Sequence, residues 1–140
     1  NLSIPCNSLA ENIVFRSQIA QLNSDSLPIK IYEKGFKFFL YTNQPNDSFH
    51  IEIGVKGWLP LQPKAYKLIN SLNFGNENEA SIILFNRRKP YYKSFSDYLY
   101  ILPVENTTDY KLILCTNQFV NINNQQDKVN VSFNCKIKTN

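Results

Sequence analysis

Methionine is absent from this sequence of 140 residues, and glycine, histidine and tryptophan are scarce, with four, one and one copies. The missing methionine, including any initiator, predicts a chain whose start was removed by processing. Because no run of about 18 apolar residues occurs, we expect no transmembrane helix. A single histidine leaves few ways to build a metal site or to activate a nucleophile.

Catalytic signatures are missing as well. The G-x-S-x-G motif of serine hydrolases does not occur, and the acidic residues show no spacing that requires a catalytic pair of carboxylates. We therefore expect a protein that is not an enzyme and that holds no cofactor and no metal. The net charge of +4 is small, so it permits anionic partners but requires none. We expect no nucleic-acid partner.

What the sequence does contain is a strand-like pattern. Its 43% hydrophobic content predicts a packed domain, and apolar residues alternate with polar ones at a period of two, which predicts an all-β fold. Such short strands with frequent turn signals are typical of a two-layer sandwich or a closed cylindrical sheet. We favour a single domain over 1–140, an antiparallel, immunoglobulin-like β-sandwich of about eight strands. The predicted strands lie at 12–20, 28–33, 35–42, 49–56, 80–86, 97–103, 110–116 and 128–138.

One short helix is predicted near residues 63–72. In this segment, an apolar stripe at helical spacing is formed by Ala65, Leu68, Ile69 and Leu72. Pro63 fits the start of such a helix.

The last predicted strand, 128–138, carries a cysteine on its apolar side. A turn centred near Gln125 would place Cys115 opposite Cys135, so we predict a disulfide between these two cysteines. Pairing of Cys6 with either of them is the alternative, and three buried thiols in a reducing compartment are another. The spacing of the cysteines fits no zinc motif.

The most distinctive surface feature is the basic segment 86–95, NRRKPYYKSF. Arg87 and Arg88 offer guanidinium groups suited to carboxylate, sulfate or phosphate, and Tyr91 and Tyr92 offer flat rings suited to sugars. We predict that these four residues contact a ligand. A simply hydrated loop is the alternative interpretation.

Trp58 is the fifth predicted ligand-binding residue, because an exposed tryptophan at the end of a strand provides a stacking surface. Its alternative role is to fill the core of the sandwich. His50 is expected on the polar face of its strand beside Glu52, where a histidine without partners is usually an ordinary surface residue.

The general layout resembles a subunit of chaperone–usher fimbriae, either a pilin or the sugar-binding domain of a tip adhesin. The features that carry this resemblance are NLSIPC at the start, with Cys6 close to the N-terminus, the short alternating strands and the amphipathic strand 128–138. The chain ends in KIKTN, without the penultimate tyrosine of many pilins. The resemblance implies a β-sandwich and assembly by donation of a strand to a neighbouring subunit. It transfers no site residue.

The functional expectation is a secreted or surface-exposed binding module that acts in cell adhesion and recognises a glycan or a host-surface protein through its loops. A structural fimbrial subunit that assembles with other subunits by strand addition is the first alternative. A small secreted inhibitor or enzyme is the second. The disulfide and the apparent processing both place the protein outside the cytoplasm.

Overall fold

The computed structural model describes residues 2–6, 13–15, 18–20, 29–41, 49–58, 62–71, 73–93 and 97–137. Parts of the predicted strands, among them residues 16–17 and 138, lie outside this set. So do Leu72 of the predicted helix and residues 94–95 of the basic segment. Eleven strands form one sheet in the described part of the chain. They are β1 (Ile13–Phe15), β2 (Gln18–Ala20), β3 (Ile29–Ile31), β4 (Gly35–Tyr41), β5 (Phe49–Lys56), β6 (Lys64–Ile69), β7 (Glu79–Asn86), β8 (Lys89–Lys93), β9 (Tyr98–Pro103), β10 (Tyr110–Asn121) and β11 (Asn124–Ile137).

The prediction of an all-β fold is confirmed for the described residues. In β5, Ile51 and Ile53 are buried, whereas His50 and Glu52 between them are partly exposed. This is the period-two alternation of a strand with one face on the core. No helix of the described chain is both long enough and apolar enough to cross a membrane.

The strands follow the order β2-β1-β11-β10-β9-β6-β7-β5-β4-β3, and β8 pairs with both β7 and β10. As a result, β7, β8, β10, β9 and β6 form a closed ring of hydrogen-bonded strands. Strands β6 and β7 run parallel within this ring. The ring fixes the β7–β8 turn beside the β10–β11 turn, since Tyr91 of β8 lies opposite Asn121 of β10.

One large apolar cluster fills the inner side of the sheet. It is formed by alternate residues of β4 to β11, so every long strand contributes to the same core. Its largest fully buried side chains are Tyr91, Phe36, Phe38, Phe119 and Phe133.

A second, smaller cluster lies on the other side of β9 and β10. It contains Tyr100, Ile113 and Cys115, and the alternating residues Leu2 and Ile4 of the N-terminal segment pack against it. The N-terminal segment therefore covers part of the outer face of its own sheet.

The predicted helix near 63–72 is wrong, because residues 64–69 form strand β6. Tyr66 and Leu68 are buried and Lys67 between them is exposed, which is strand alternation rather than a helical stripe. Strand β6 joins β7 to β9 and satisfies hydrogen-bonding groups on both neighbours. A short apolar stretch fits either period, and here the tertiary pairing decides.

The predicted disulfide between Cys115 and Cys135 is also wrong. In the β10–β11 register, Cys135 lies opposite Leu112 and points into the main core, whereas Cys115 belongs to the outer cluster. Side chains on opposite faces of a sheet cannot be bridged. The bond instead joins Cys6 to Cys115, with 5.7 Å between their Cα atoms, and Cys135 is a buried thiol.

The hairpin turn explains this error. The two strands reverse at residues 122–123, with Asn121 opposite Asn124, rather than around Gln125. A β-bulge between Leu114 and Asn117 then shifts the register again.

Candidate functional site

The β7–β8 connection is a two-residue turn made entirely of arginine. Asn86 and Lys89 are paired across it, and Arg87 and Arg88 between them have φ angles of 52° and 68°. Two consecutive residues with positive φ are the signature of a type I′ turn, which normally carries Asn-Gly. Each arginine holds a left-handed conformation that costs an L-residue with a β-carbon about 1–2 kcal/mol. The turn is therefore strained at the place where the chain presents its cations.

Three cationic side chains are displayed together at this turn. Arg87, Arg88 and Lys89 are consecutive and all exposed. A guanidinium group presents a planar fork of donors that matches carboxylate and sulfate oxygens, and it stays charged at any physiological pH. The turn therefore offers a dense positive charge to an anionic group.

Tyr91 holds the turn in position from the core side of the sheet. Its ring is only 1% exposed, and its hydroxyl donates a hydrogen bond to Oδ2 of Asp127 in β11. Nδ2 of Asn121 donates to the same oxygen at 3.2 Å. The backbone N–H of Ile122 also donates to the carbonyl of Pro90 at 3.2 Å. These bonds tie β8 to the β10–β11 hairpin and fix the position of the arginine turn.

A row of three stacked rings crosses the outer face of the sheet beside the turn. It consists of Tyr41, His50 and Phe85, which lie opposite one another in β4, β5 and β7. The Tyr41 and His50 ring centroids are 5.3 Å apart, and those of His50 and Phe85 are 4.9 Å apart, with interplanar angles of 28° and 15°. Pro90 of β8 continues the row beyond Phe85, so the row leads towards the basic turn. We call these three residues the aromatic row.

The aromatic row presents ring edges to its surroundings. Rings stacked on one another across strands hide most of their faces, and the edges carry the positive part of the ring quadrupole. Nε2 of His50 is 3.5 Å from Oε2 of Glu52, so one acidic side chain lies on the same face. The positive charge beside the aromatic row therefore comes from the arginine turn, while the ring edges are compatible with a negative group.

Lys93, the last described lysine of the basic segment, belongs to a different environment. Its backbone N–H donates to Oδ1 of Asn70 at 2.9 Å, and Nδ2 of Asn70 donates back to the Lys93 carbonyl at 3.2 Å. Burial lowers the pKa of the Lys93 ammonium group, and the nearby charge of Lys67 lowers it further, against the opposing effect of Asp97. Lys93 thus joins β8 to the loop after β6, and the exposed charge is concentrated at the turn.

Trp58 lies at the opposite end of the sheet from the arginines. Phe49, at the start of β5, pairs with Asn86 next to the turn, whereas Trp58 follows the other end of the same strand. Strand β5 has eight residues, which separates its two ends by roughly 23 Å. Trp58 is 72% exposed, so it does not serve as a core filler.

The five predicted ligand-binding residues therefore do not form one site. Arg87 and Arg88 lie together in the turn, and Tyr92 follows on β8 with 37% of its side chain exposed. Tyr91 is buried and holds the turn in place, and Trp58 is remote.

Sequence reasoning missed the aromatic row. The available signal was that β4 and β7 are apolar on both faces: Phe39 and Tyr41 alternate with the core residues of β4, and Phe85 ends a continuous apolar run. Only the register between strands brings Tyr41, His50 and Phe85 into one line.

The chain matches no protein-family model, no curated protein and no solved structure. What the site binds therefore has to be inferred from its own geometry and charge.

Proposed function

We propose that the protein is a non-catalytic binding module, secreted or displayed at the cell surface, that recognises an acidic glycan through the β7–β8 turn. The observation that carries this proposal is the pair of exposed arginines at consecutive positive φ angles, Arg87 and Arg88. A turn of this kind is most stable with Asn-Gly, so arginine at both positions costs stability. Sequences break such local rules mainly at functional sites.

An acidic glycan fits the chemistry of the surroundings. Its carboxylate or sulfate groups accept paired hydrogen bonds from the guanidinium forks of Arg87 and Arg88. Tyr92 adds a partly exposed ring next to the turn, and the edges of the aromatic row favour a negative group on the same surface. A host-surface protein with an acidic patch would use the same contacts and is the second ligand class of this proposal.

The proposed two-layer, immunoglobulin-like sandwich agrees with the single cluster in which inner-face residues from β4 to β11 meet. The ring of β7, β8, β10, β9 and β6 favours the alternative of a closed cylindrical sheet. The Cys6–Cys115 disulfide supports a location outside the cytoplasm, where such bonds persist.

The alternative of a fimbrial subunit that assembles by strand addition receives less support. Leu2 and Ile4, whose alternation resembles a donor strand, pack against the sheet of their own chain. Cys6 bonds this segment to Cys115, so the segment is already used within the molecule. The alternative of a small inhibitor or enzyme has no specific observation in its favour.

The test is binding to a sulfated glycan. We expect the protein to bind immobilised heparin but not uncharged dextran, with an affinity that falls as salt is added. Arg87→Ala together with Arg88→Ala should weaken heparin binding by about tenfold or more, because two charge-assisted contacts are lost.

A matched control is available in β10 and β11. Lys111 and Lys136 lie opposite each other, far along these strands from the turn, and changing both to alanine removes the same formal charge. Heparin binding by this control should change by less than about threefold. An equal loss in both double variants would mean that only net charge matters, and an unchanged affinity of the arginine variant would refute the proposal.

A further inference from the structure

Three large apolar side chains are exposed at the end of the sheet that is opposite the arginine turn. Ile31 is 73% exposed, Tyr32 is 41% exposed and Trp58 is 72% exposed. Exposed apolar groups of this size that lie near one another usually mark a contact surface. Together these residues account for nearly half of the exposed large apolar side chains among the described residues.

The backbone holds these residues at one end of the molecule. Ile31 and Tyr32 lead into the turn that connects β3 to β4, where the Tyr32 N–H donates to the Gly35 carbonyl at 2.7 Å. The Gly57 N–H donates to the Lys34 carbonyl in that turn at 3.3 Å. Trp58 is the next residue, so it lies beside the turn. Ile31 and Tyr32 lie on opposite faces of the hairpin, since Ile31 is opposite the core residue Phe36 and the Tyr32 ring packs edge-on against Phe74. We call the end of the sheet that carries Ile31, Tyr32 and Trp58 the tryptophan end.

Lysines surround the tryptophan end. Lys30, Lys34 and Lys56 are all exposed, and the first two lie on either side of the apolar pair in the β3–β4 hairpin. Lys56 is opposite Gly35 in the β4–β5 register, two residues before the tryptophan. Glu33 lies in the same turn, while Glu79 on the neighbouring strand accepts a backbone hydrogen bond within its own loop. Lysine charge therefore predominates around the apolar residues.

We propose that the tryptophan end docks on the surface of an anionic lipid bilayer. Tryptophan and tyrosine prefer the boundary between the headgroups and the acyl chains, where a ring is partly in hydrocarbon and its polar atom stays hydrated. An exposed isoleucine gains from entering the acyl region. Lysines around such residues are attracted to the negative potential of anionic headgroups, and each strengthens binding about fivefold.

A lipid surface fits these residues better than a second glycan does. Ile31 has no polar group in its side chain, so a hydrated sugar would leave its exposed surface without compensation. A bilayer that meets this end of the sheet head-on contacts side chains on both faces of the hairpin and also pairs with the lysine ammonium groups. This surface is separated from the arginine turn by the length of β5, so the inference does not depend on the glycan proposal.

The experiment uses phosphatidylcholine vesicles with and without phosphatidylserine. Because Trp58 is the single tryptophan of the chain, its fluorescence reports directly on transfer into the membrane. We expect a blue shift of the emission and sedimentation with the phosphatidylserine vesicles, and at least tenfold weaker binding to phosphatidylcholine alone.

Variants separate apolar insertion from attraction of charge. Ile31→Ser should weaken binding to the phosphatidylserine vesicles at least threefold, and its side chain is exposed, so folding is preserved. Lys34→Gln together with Lys56→Gln should weaken it about 25-fold, since each lysine contributes about fivefold. The control, Arg87→Ala with Arg88→Ala, should retain lipid binding within threefold.

Three outcomes would overturn the inference. They are no sedimentation with phosphatidylserine vesicles, equal binding to both vesicle types, and an unchanged affinity of the Ile31→Ser variant. Loss of heparin binding by the arginine variant while lipid binding is retained would show that the two surfaces act separately. Failure of the glycan proposal alone would leave lipid binding intact.

Discussion

The strain at the β7–β8 turn predicts that changing Arg87 to Asn and Arg88 to Gly stabilises the protein. Both arginines have positive φ angles, 52° and 68°, and each conformation costs about 1–2 kcal/mol for an L-residue of this kind. Asparagine tolerates the left-handed region better than arginine does, and glycine adopts it without a steric cost. The sequence Asn-Gly is the preferred one for a two-residue hairpin of this type.

The expected gain is smaller than the total strain. Glycine loses more conformational entropy on folding than arginine does, and this lowers the free energy of unfolding by about 0.5–1 kcal/mol. We therefore expect the free energy of unfolding to rise by about 1–2 kcal/mol. For a domain of this length, that corresponds to an increase in Tm of roughly 3–8 °C.

The assay is thermal and urea unfolding of the wild type and three variants. The Asn-Gly variant should be more stable, whereas Arg87→Lys with Arg88→Lys keeps both the strain and the charge and should stay within about 0.5 kcal/mol of the wild type. Arg87→Ala with Arg88→Ala keeps the strain without the charge. If the Asn-Gly variant were no more stable than the alanine variant, the strained geometry of the turn would be refuted.

Three further predictions concern the disulfide, the anchor of the arginine turn and a buried tyrosine of the core. Cys6→Ala should lower the free energy of unfolding by about 2–5 kcal/mol because it opens a long covalent loop. The Cys135→Ser variant should keep the Cys6–Cys115 disulfide, so its oxidised form should be lighter than its reduced form by the mass of two hydrogens. Tyr91→Phe should cost about 1–3 kcal/mol, since it removes a hydrogen bond to a charged group, whereas the exposed Tyr92→Phe control should stay within about 0.5 kcal/mol in the same urea titration. Burial raises the pKa of the Tyr66 hydroxyl above the usual tyrosine value of 10.0, so the unfolded chain releases this proton at a lower pH than the folded chain does. The free energy of unfolding should therefore fall as the pH rises above 10.0, and it should fall less steeply in Tyr66→Phe.

Several elements of the fold were predictable because their alternation is local. Strands β5 and β11 carry clean period-two patterns, and the residues expected in the core, such as Ile51 and Phe133, are buried. Strand β6 was not predictable, because its apolar residues fit a helical stripe equally well and only the open edges of β7 and β9 select a strand. The orientation of Cys115 depends on the turn position and a bulge, neither of which the sequence pattern reveals.

The candidate site, like the fold, was predictable from the sequence only in part. The basic segment was recognisable from its composition, because Arg87 and Arg88 are consecutive in a predicted connection. The positive φ angles arise from closing β7 onto β8 with only two residues. The aromatic row depends on the register of three strands that are distant in sequence, so it required the fold.

The most direct test of the central claim is heparin affinity measured on the same Asn-Gly variant of Arg87 and Arg88 whose stability is determined. The account predicts a protein that melts at a higher temperature than the wild type and binds heparin at least about tenfold more weakly. That combination would show that the turn retains arginine for recognition at a cost in stability. A variant that melts at a higher temperature and binds heparin with unchanged affinity would contradict the account.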